Sequence, residues 1–293
     1  MTQFVEANGL RMGYDAHGAG PPLVMLHGAG SSGREDWAAQ VPLFSKAFRI
    51  YIPDARGHAT TRWDARDGFT YDMLVADLEA FADALHLDTF HLVGFSMGAM
   101  TALTFAARRP QRLRTLLVAG ITTQREPRAS VARRLMDPDR LPPAGPLSEA
   151  ALSRRHDPVQ GPGAWRDLLR AISRDVELQP LLTPRELHQI ELPAMVAVGD
   201  RDPFAPVDHA WELMRLLPEG RLLVVPDCPH QLMVRRPGLF NEACSAFYRS
   251  TEETARHRAV GRGSVDEPLP QAASSPEAAD SIGPAAAGEG EPA

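Results

Sequence analysis

Cysteine, lysine and long apolar runs are all scarce in this chain of 293 residues, and each scarcity removes a class of protein. Two cysteines, Cys228 and Cys244, are too few for a disulfide framework and do not have metal-ligand spacing. The longest apolar runs, such as Leu222-Leu223-Val224-Val225, are strand-sized and far short of a membrane span, so no membrane partner is expected. The first residues, Met1 to Glu6, lack the basic start and apolar stretch of a secretory leader, which points to the cytoplasm. Lys46 is the only lysine, a bias read as codon composition and not as chemistry. The net charge of -6 comes with no sustained basic stripe, which argues against a nucleic-acid partner. What remains is an ordinary globular composition, 44% hydrophobic and 23% charged.

Within that composition, strand-like and helix-like segments alternate. Phe4 to Ala7 and Arg11 to Tyr14 flank Asn8-Gly9, a strong hairpin signal. Leu23-Val24-Met25-Leu26 and Phe48 to Ile52 read as strands buried on both faces. Glu35 to Ser45 between them suits a short helix with Trp37, Val41 and Phe44 on one face. Tyr71 to Leu85 carries Leu74, Leu78, Phe81 and Leu85 at helical spacing. The strand at Phe90, a helix ending near Arg109-Pro110, and a strand from Arg114 to Ala119 follow. Such alternation implies an α/β fold: a mostly parallel, doubly wound sheet, here with an N-terminal antiparallel hairpin.

The alternation stops between Ile121 and Ile190. Helical pieces occupy Ala129–Met136, Ser148–His156, Ala164–Asp175 and Thr183–Gln189, and no good strand appears. The βα pattern resumes with strands at Ala194–Val198 and Arg221–Val225, a helix at Val207–Leu217, and a last helix from Pro237 to about Arg249. The division expected is therefore a core in two parts, 1–120 and 191–250, with 121–190 inserted as a helical cap. Residues 251–293 contain no aromatic residue and are rich in Ala, Pro, Gly, Ser and Glu, a composition that predicts a disordered tail.

One stretch carries chemistry. Gly94-Phe95-Ser96-Met97-Gly98 lies between a strand and a helix, the pattern of a nucleophile elbow. A serine hydroxyl needs a base in hydrogen-bond reach, and the base needs an orienting carboxylate. In a parallel sheet those groups belong in loops at the carboxyl ends of strands. Two such loops qualify: Gly199-Asp200-Arg201-Asp202-Pro203-Phe204, and Pro226-Asp227-Cys228-Pro229-His230. A carbonyl attacked by Ser96 also needs N–H donors for its developing oxyanion. Met97 supplies one, and the glycine-rich loop His27-Gly28-Ala29-Gly30-Ser31-Ser32-Gly33 can supply a second. His27 itself reads as a histidine that packs this loop.

Together with Asp54-Ala55-Arg56-Gly57-His58, these motifs resemble the α/β-hydrolase fold superfamily, in its branch of capped serine hydrolases: esterases, lactonases and C–C bond hydrolases. The resemblance covers roughly residues 3–250. It implies Ser96 as nucleophile, His230 as base and then acid, Asp202 over Asp200 as the orienting carboxylate, and the amides of Ala29 and Met97 as oxyanion donors. It implies hydrolysis of a small carboxylic ester or lactone through an acyl-enzyme, with no cofactor or metal and a small molecule as the partner. C–C bond hydrolysis, thioester hydrolysis or cofactor-free perhydrolysis by the same triad is the alternative. A non-catalytic small-molecule-binding protein of the same fold is the alternative of another class. His27, Gly28, Phe95, His58, Trp165 and Phe204 are expected at the substrate pocket, and one of nine cap arginines (125, 128, 133, 134, 154, 155, 166, 170, 174) is available to hold a substrate carboxylate. His58-Ala59 departs from the family, which usually has a second glycine there. The sequence is silent on oligomeric state.

Overall fold

The computed structural model describes residues 1–263, with side chains to residue 254. Its first strands, β1 (Gln3–Ala7) and β2 (Leu10–His17), are joined by Asn8 and Gly9, both at positive φ (49° and 74°) as a tight hairpin requires. Then come β3 (Pro22–Leu26), α1 (Gly33–Asp36), α2 (Val41–Phe44), β4 (Arg49–Pro53), α3 (Tyr71–Ala84), β5 (Phe90–Phe95), α4 (Met97–Arg108) and β6 (Leu113–Ala119). Four helices separate β6 from the next strand: α5 (Arg128–Leu135), α6 (Glu149–Gln160), α7 (Trp165–Leu178) and α8 (Pro184–His188). The chain closes with β7 (Ala194–Gly199), α9 (Val207–Leu216), β8 (Gly220–Val225), α10 (Leu232–Arg235) and α11 (Pro237–Gly263).

The eight strands form one sheet in the order β1-β2-β4-β3-β5-β6-β7-β8. β1 and β2 pair antiparallel, β2 pairs antiparallel with β4, and every later pair is parallel. Because successive side chains alternate between faces, each central strand feeds two cores. Val24, Leu26, Leu92, Leu116 and Val118 pack with α3, α4 and α9, and with the inserted helices through Leu168, Leu169 and Ile172. Leu23, Met25, Val93, Phe95 and Leu117 pack instead with Trp37, Phe44, Phe240 and Tyr248. Continuous apolar strands and two covering layers are thus one fact seen at two scales. Residues 1–252 form a single compact unit that includes the inserted helices, and residues 253–293 form a second.

Two expectations need correction. The helix expected over Glu35–Ser45 is two short ones, because Pro42 lacks the N–H a helix interior needs and instead opens α2 in its first turn. The last helix does not stop near Arg249 but runs to Gly263, through a stretch rich in Glu, Ala and Arg with no proline. The rest of the expected disordered tail, residues 264–293, lies outside the described residues.

Candidate active site

β5 ends at Phe95 and α4 begins at Met97, leaving Ser96 alone at the turn. Ser96 is held at φ 53 and ψ -110, a conformation that costs a residue with a Cβ about 1–3 kcal/mol. The flanking glycines make the turn possible. A Cβ on Gly94 would stand 2.2 Å from the Gly98 carbonyl oxygen, and one on Gly98 would stand 2.6 Å from that of Leu26. The Ser96 amide donates to Ala119 O (2.9 Å) and the Gly98 amide to His27 O (3.1 Å), fixing the elbow to its neighbours.

Asp202 and His230 arrive at Ser96 from the two loops after β7 and β8. His230 Nε2 lies 2.9 Å from Ser96 Oγ, and its Nδ1 donates to Asp202 Oδ2 at 2.8 Å. Nδ1 spends its proton on the carboxylate, which leaves the Nε2 lone pair facing the hydroxyl. The other carboxylate oxygen accepts from the amides of Phe204 (2.8 Å) and Ala205 (3.2 Å). The Asp202 side chain is completely buried, whereas His230 keeps an exposed edge between the rings of Phe95 and Phe204. Asp200 is engaged elsewhere, accepting from the Cys228 amide at 3.0 Å and so joining the two loops. Cys228 is buried, and burial pushes its thiol above the ordinary range, so it is no nucleophile.

The loop from Gly28 to Gly33 is held by side chains that sequence reasoning did not connect. Asp36, buried in α1, accepts from the Gly28 amide and the Ser31 hydroxyl, both at 2.8 Å. Burial outweighs those bonds and raises its carboxyl pKa. Three buried histidines complete the frame. His27 accepts from the Ala55 amide through Nε2 (2.9 Å) and donates through Nδ1 to Gly28 O (2.8 Å). His58 accepts from the Gly30 amide through Nε2 (3.1 Å) and donates through Nδ1 to Arg56 O (2.9 Å). His156, on inserted helix α6, accepts from the Ala59 amide through Nδ1 (3.0 Å) and donates through Nε2 to Gly30 O (3.2 Å). A ring nitrogen that accepts from an amide cannot carry a proton, so each of these rings is neutral with a fixed tautomer. Desolvation carries His58 well below its ordinary pKa and His156 down to about 4. Arg155 adds a bond to Gly30 O while paired with Glu35 at 2.5 Å. Within His58-Ala59, His58 pins Gly30 while Ala59 is held at a positive φ of 36°, the region that favours glycine.

Two small cavities meet at Ser96. The outer one, about 160 Å³, is lined by Phe95, Phe204, His230, Gln231, Met136 and Leu147 among others. The inner one, about 20 Å³, is lined by Ala29, Ser96, Met97, Arg128, Ile172 and Phe204 among others. Met97 opens α4, so its amide has no acceptor within the helix, and it and Ala29 both border the inner space. Of the residues expected at a substrate pocket, Phe95 and Phe204 line these cavities, and His27, Gly28, His58 and Trp165 do not. His27 and His58 are turned into the hydrogen-bond frame, and Gly28 lies against the Phe95 ring, where a Cβ would meet it at 2.8 Å. Trp165 is fully buried among the inserted helices, its Nε1 donating to Ser153 Oγ at 3.1 Å. Tyr71, Ile121, Met136 and Gln231 line the cavities with no sequence signal to nominate them. A larger groove of about 650 Å³, between Trp63–Asp72 and Ala171–Glu186, includes neither Ser96 nor His230 and offers no nucleophile beside a base. Among the described residues no cluster suits a metal ion, and no helix is long and apolar enough to cross a membrane.

Comparison with known proteins agrees with this fold. A family model described as the alpha/beta hydrolase fold matches residues 21–145. A 2-hydroxy-6-oxononadienedioate/2-hydroxy-6-oxononatrienedioate hydrolase of Paraburkholderia phymatum is 27% identical over 265 residues, covering 81% of this chain and 91% of its own. The chain has the α/β-hydrolase fold, and it is a hydrolase. Among solved α/β-hydrolases, Est816, an N-acyl homoserine lactone degrading enzyme, superposes with a TM-score of 0.69 at 25% identity, covering 84% of this chain and 100% of that one. The enol-lactonase of Burkholderia xenovorans LB400 superposes with a TM-score of 0.68 at 22% identity over 84% of this chain and 100% of its own, a likeness of fold.

Proposed function

We propose that this hydrolase cleaves a small carboxylic ester or lactone through an acyl-enzyme formed on Ser96. The observation that carries the reading is the unbroken line Asp202–His230–Ser96, at 2.8 and 2.9 Å, opening on a cavity lined by Ala29 and Met97. In this mechanism Ser96 Oγ attacks the carbonyl carbon while His230 Nε2 takes its proton. Asp202 steadies the imidazolium, and the amides of Ala29 and Met97 donate to the oxyanion. The tetrahedral intermediate collapses as Nε2 returns the proton to the leaving oxygen. A water deprotonated by the same nitrogen then attacks the acyl-enzyme, and Ser96 leaves with the proton restored. The small cavities support a small substrate, and no step in this chemistry calls for a metal or cofactor.

A second reading, C–C bond hydrolysis next to a ketone, draws its support from the relative of Paraburkholderia phymatum, whose name describes an oxo-dienedioate hydrolase. Two measurements separate the readings. A burst of p-nitrophenol from p-nitrophenyl acetate, with mass labelling of Ser96, supports the acyl-enzyme; absence of both sinks it and leaves the C–C reading. A panel of alkyl esters, lactones and vinylogous diketones, assayed side by side, then decides between ester and C–C cleavage by the ranking of kcat/KM.

A further inference from the structure

Arg128 is the one charged group at the inner cavity that the acyl-transfer machinery leaves unused. It opens helix α5, is 6% exposed, and shares the cavity lining with Ser96, Ala29 and Met97. Its partners do not match its charge. Among the described residues no carboxylate lies within 4.0 Å of the guanidinium, and Nε donates to nothing. Only the Gln179 carboxamide meets it: with the amide oxygen turned inward, that oxygen accepts from Nη1 at 2.7 Å and Nη2 at 2.5 Å. Burial disfavours its charged form, and the groups that act on it from further off oppose one another, Tyr71 and Asp175 favouring the cation and Arg125 disfavouring it. A buried guanidinium facing a neutral amide is an expensive arrangement for a folded chain to keep.

The remaining arginines of the insertion set this one apart. Arg125 is spent on the carbonyls of Val176, Glu177 and Gln179, and Arg155 on Glu35 and Gly30 O. Arg133, Arg166 and Arg170 form ion pairs on the surface with Glu177, Glu149 and Asp167. Arg128 alone is both buried and lining the space beside Ser96. Apart from Tyr71, Ser96 and the backbone around them, the wall of that space is apolar, formed by Ile121, Ala132, Met136, Ile172, Val176 and Phe204.

We propose that Arg128 is a subsite for a carboxylate carried on the acyl half of the substrate, so that the preferred substrates are half-esters of short dicarboxylic acids. The inference rests on the acyl-enzyme reading and names its substrate class. Geometry assigns the halves. His230, which returns a proton to the leaving group, lines the outer cavity and not the inner one, so the leaving alcohol occupies the outer side. The acyl chain then points inward toward Arg128. At about 20 Å³ the inner cavity has room for a group of one or two waters' size, which suits a carboxylate and excludes a ring. A guanidinium's planar fork takes both carboxylate oxygens at once, displacing or supplementing Gln179.

The test compares monoethyl succinate, monoethyl glutarate and monoethyl adipate with neutral ethyl esters of equal chain length, by pH-stat titration. The wild type is expected to favour one half-ester over its neutral counterpart by about 100-fold in kcat/KM, chiefly through KM. Arg128→Gln and Arg128→Met are expected to erase that ratio, and Arg128→Lys to restore part of it. Since the ratio is taken within each variant, loss of folded protein does not distort it. A wild type that prefers neutral esters, or an R128Q ratio equal to the wild type's, overturns the proposal. Calorimetric binding of glutarate to the Ser96→Ala protein, abolished by the added R128Q change, gives a readout without turnover. Glutarate binding without any ester hydrolysis leaves the subsite standing and removes the acyl-enzyme reading. Ester hydrolysis without glutarate binding does the reverse.

Discussion

The two sides of Ser96 differ in how their polar groups are satisfied. On the His230 side, Asp202 accepts three hydrogen bonds and the neighbouring loops are stapled by Asp200 and the Cys228 amide. The Gly28–Gly33 loop is held just as fully, by Asp36 and three neutral histidines. On the Arg128 side, a buried cation faces an amide and an apolar wall. Complete pairing fixes geometry in advance, which is what a reacting centre needs. Incomplete pairing leaves free energy to be recovered when a ligand supplies the missing charge.

The sharpest way to break this contrast is at the reacting line itself. Ser96→Ala is expected to lower kcat for ester hydrolysis by roughly 10⁵-fold or more while the melting temperature is kept. Residual turnover near wild type would mean the line does no acyl transfer. Next in size, Asp202→Asn is expected to cost about 10⁴-fold, because an amide presents the wrong partner to His230 Nδ1. Asp200→Asn, by contrast, removes only a loop staple, and a loss beyond about 10-fold would reverse the assignment of the two aspartates.

A subtler effect concerns pH. His156 titrates at about 4 in the folded protein and near 6.5 when unfolded, so between those values the unfolded chain binds more protons. The stability this neutral ring contributes is complete above pH 6.5 and drains away as pH falls toward 4, by about 3 kcal/mol in all. In urea unfolding, the gap between wild type and His156→Gln should therefore narrow from pH 7 to pH 5. A gap that widens would show the ring to be charged in the fold. The smallest effect on activity is expected at Trp165→Phe, which deletes the bond to Ser153 and leaves a void in the core at a stability cost of roughly 2–3 kcal/mol, with the ranking of ester substrates as it was. A changed ranking would return Trp165 to the pocket.

The parts legible in the sequence were those governed by local backbone rules. The Asn8-Gly9 hairpin, the buried strands and the elbow at Ser96 follow from glycine's freedom, apolar runs and the two-residue alternation of a strand. The placement of Asp202 and His230 at successive strand ends followed from topology, since parallel strands present their carboxyl ends on one edge. The helix over Glu35–Ser45 was misread because a hydrophobic stripe outweighed Pro42, while a helical tryptophan such as Trp165 looks alike in a core and in a pocket.

Chain order and motif spacing by themselves determined the fold class, the elbow and the two loops that reach it, and the family resemblance chose Asp202 over Asp200 in the first of them. Tertiary structure alone decided which of nine arginines is buried without an adjacent carboxylate, what His58 holds in place, and which side of Ser96 is polar. The reason is one of range. A strained turn is dictated by its own few residues, whereas the surroundings of Arg128 come from segments some fifty residues apart, Gln179 among them, brought together only by helix packing.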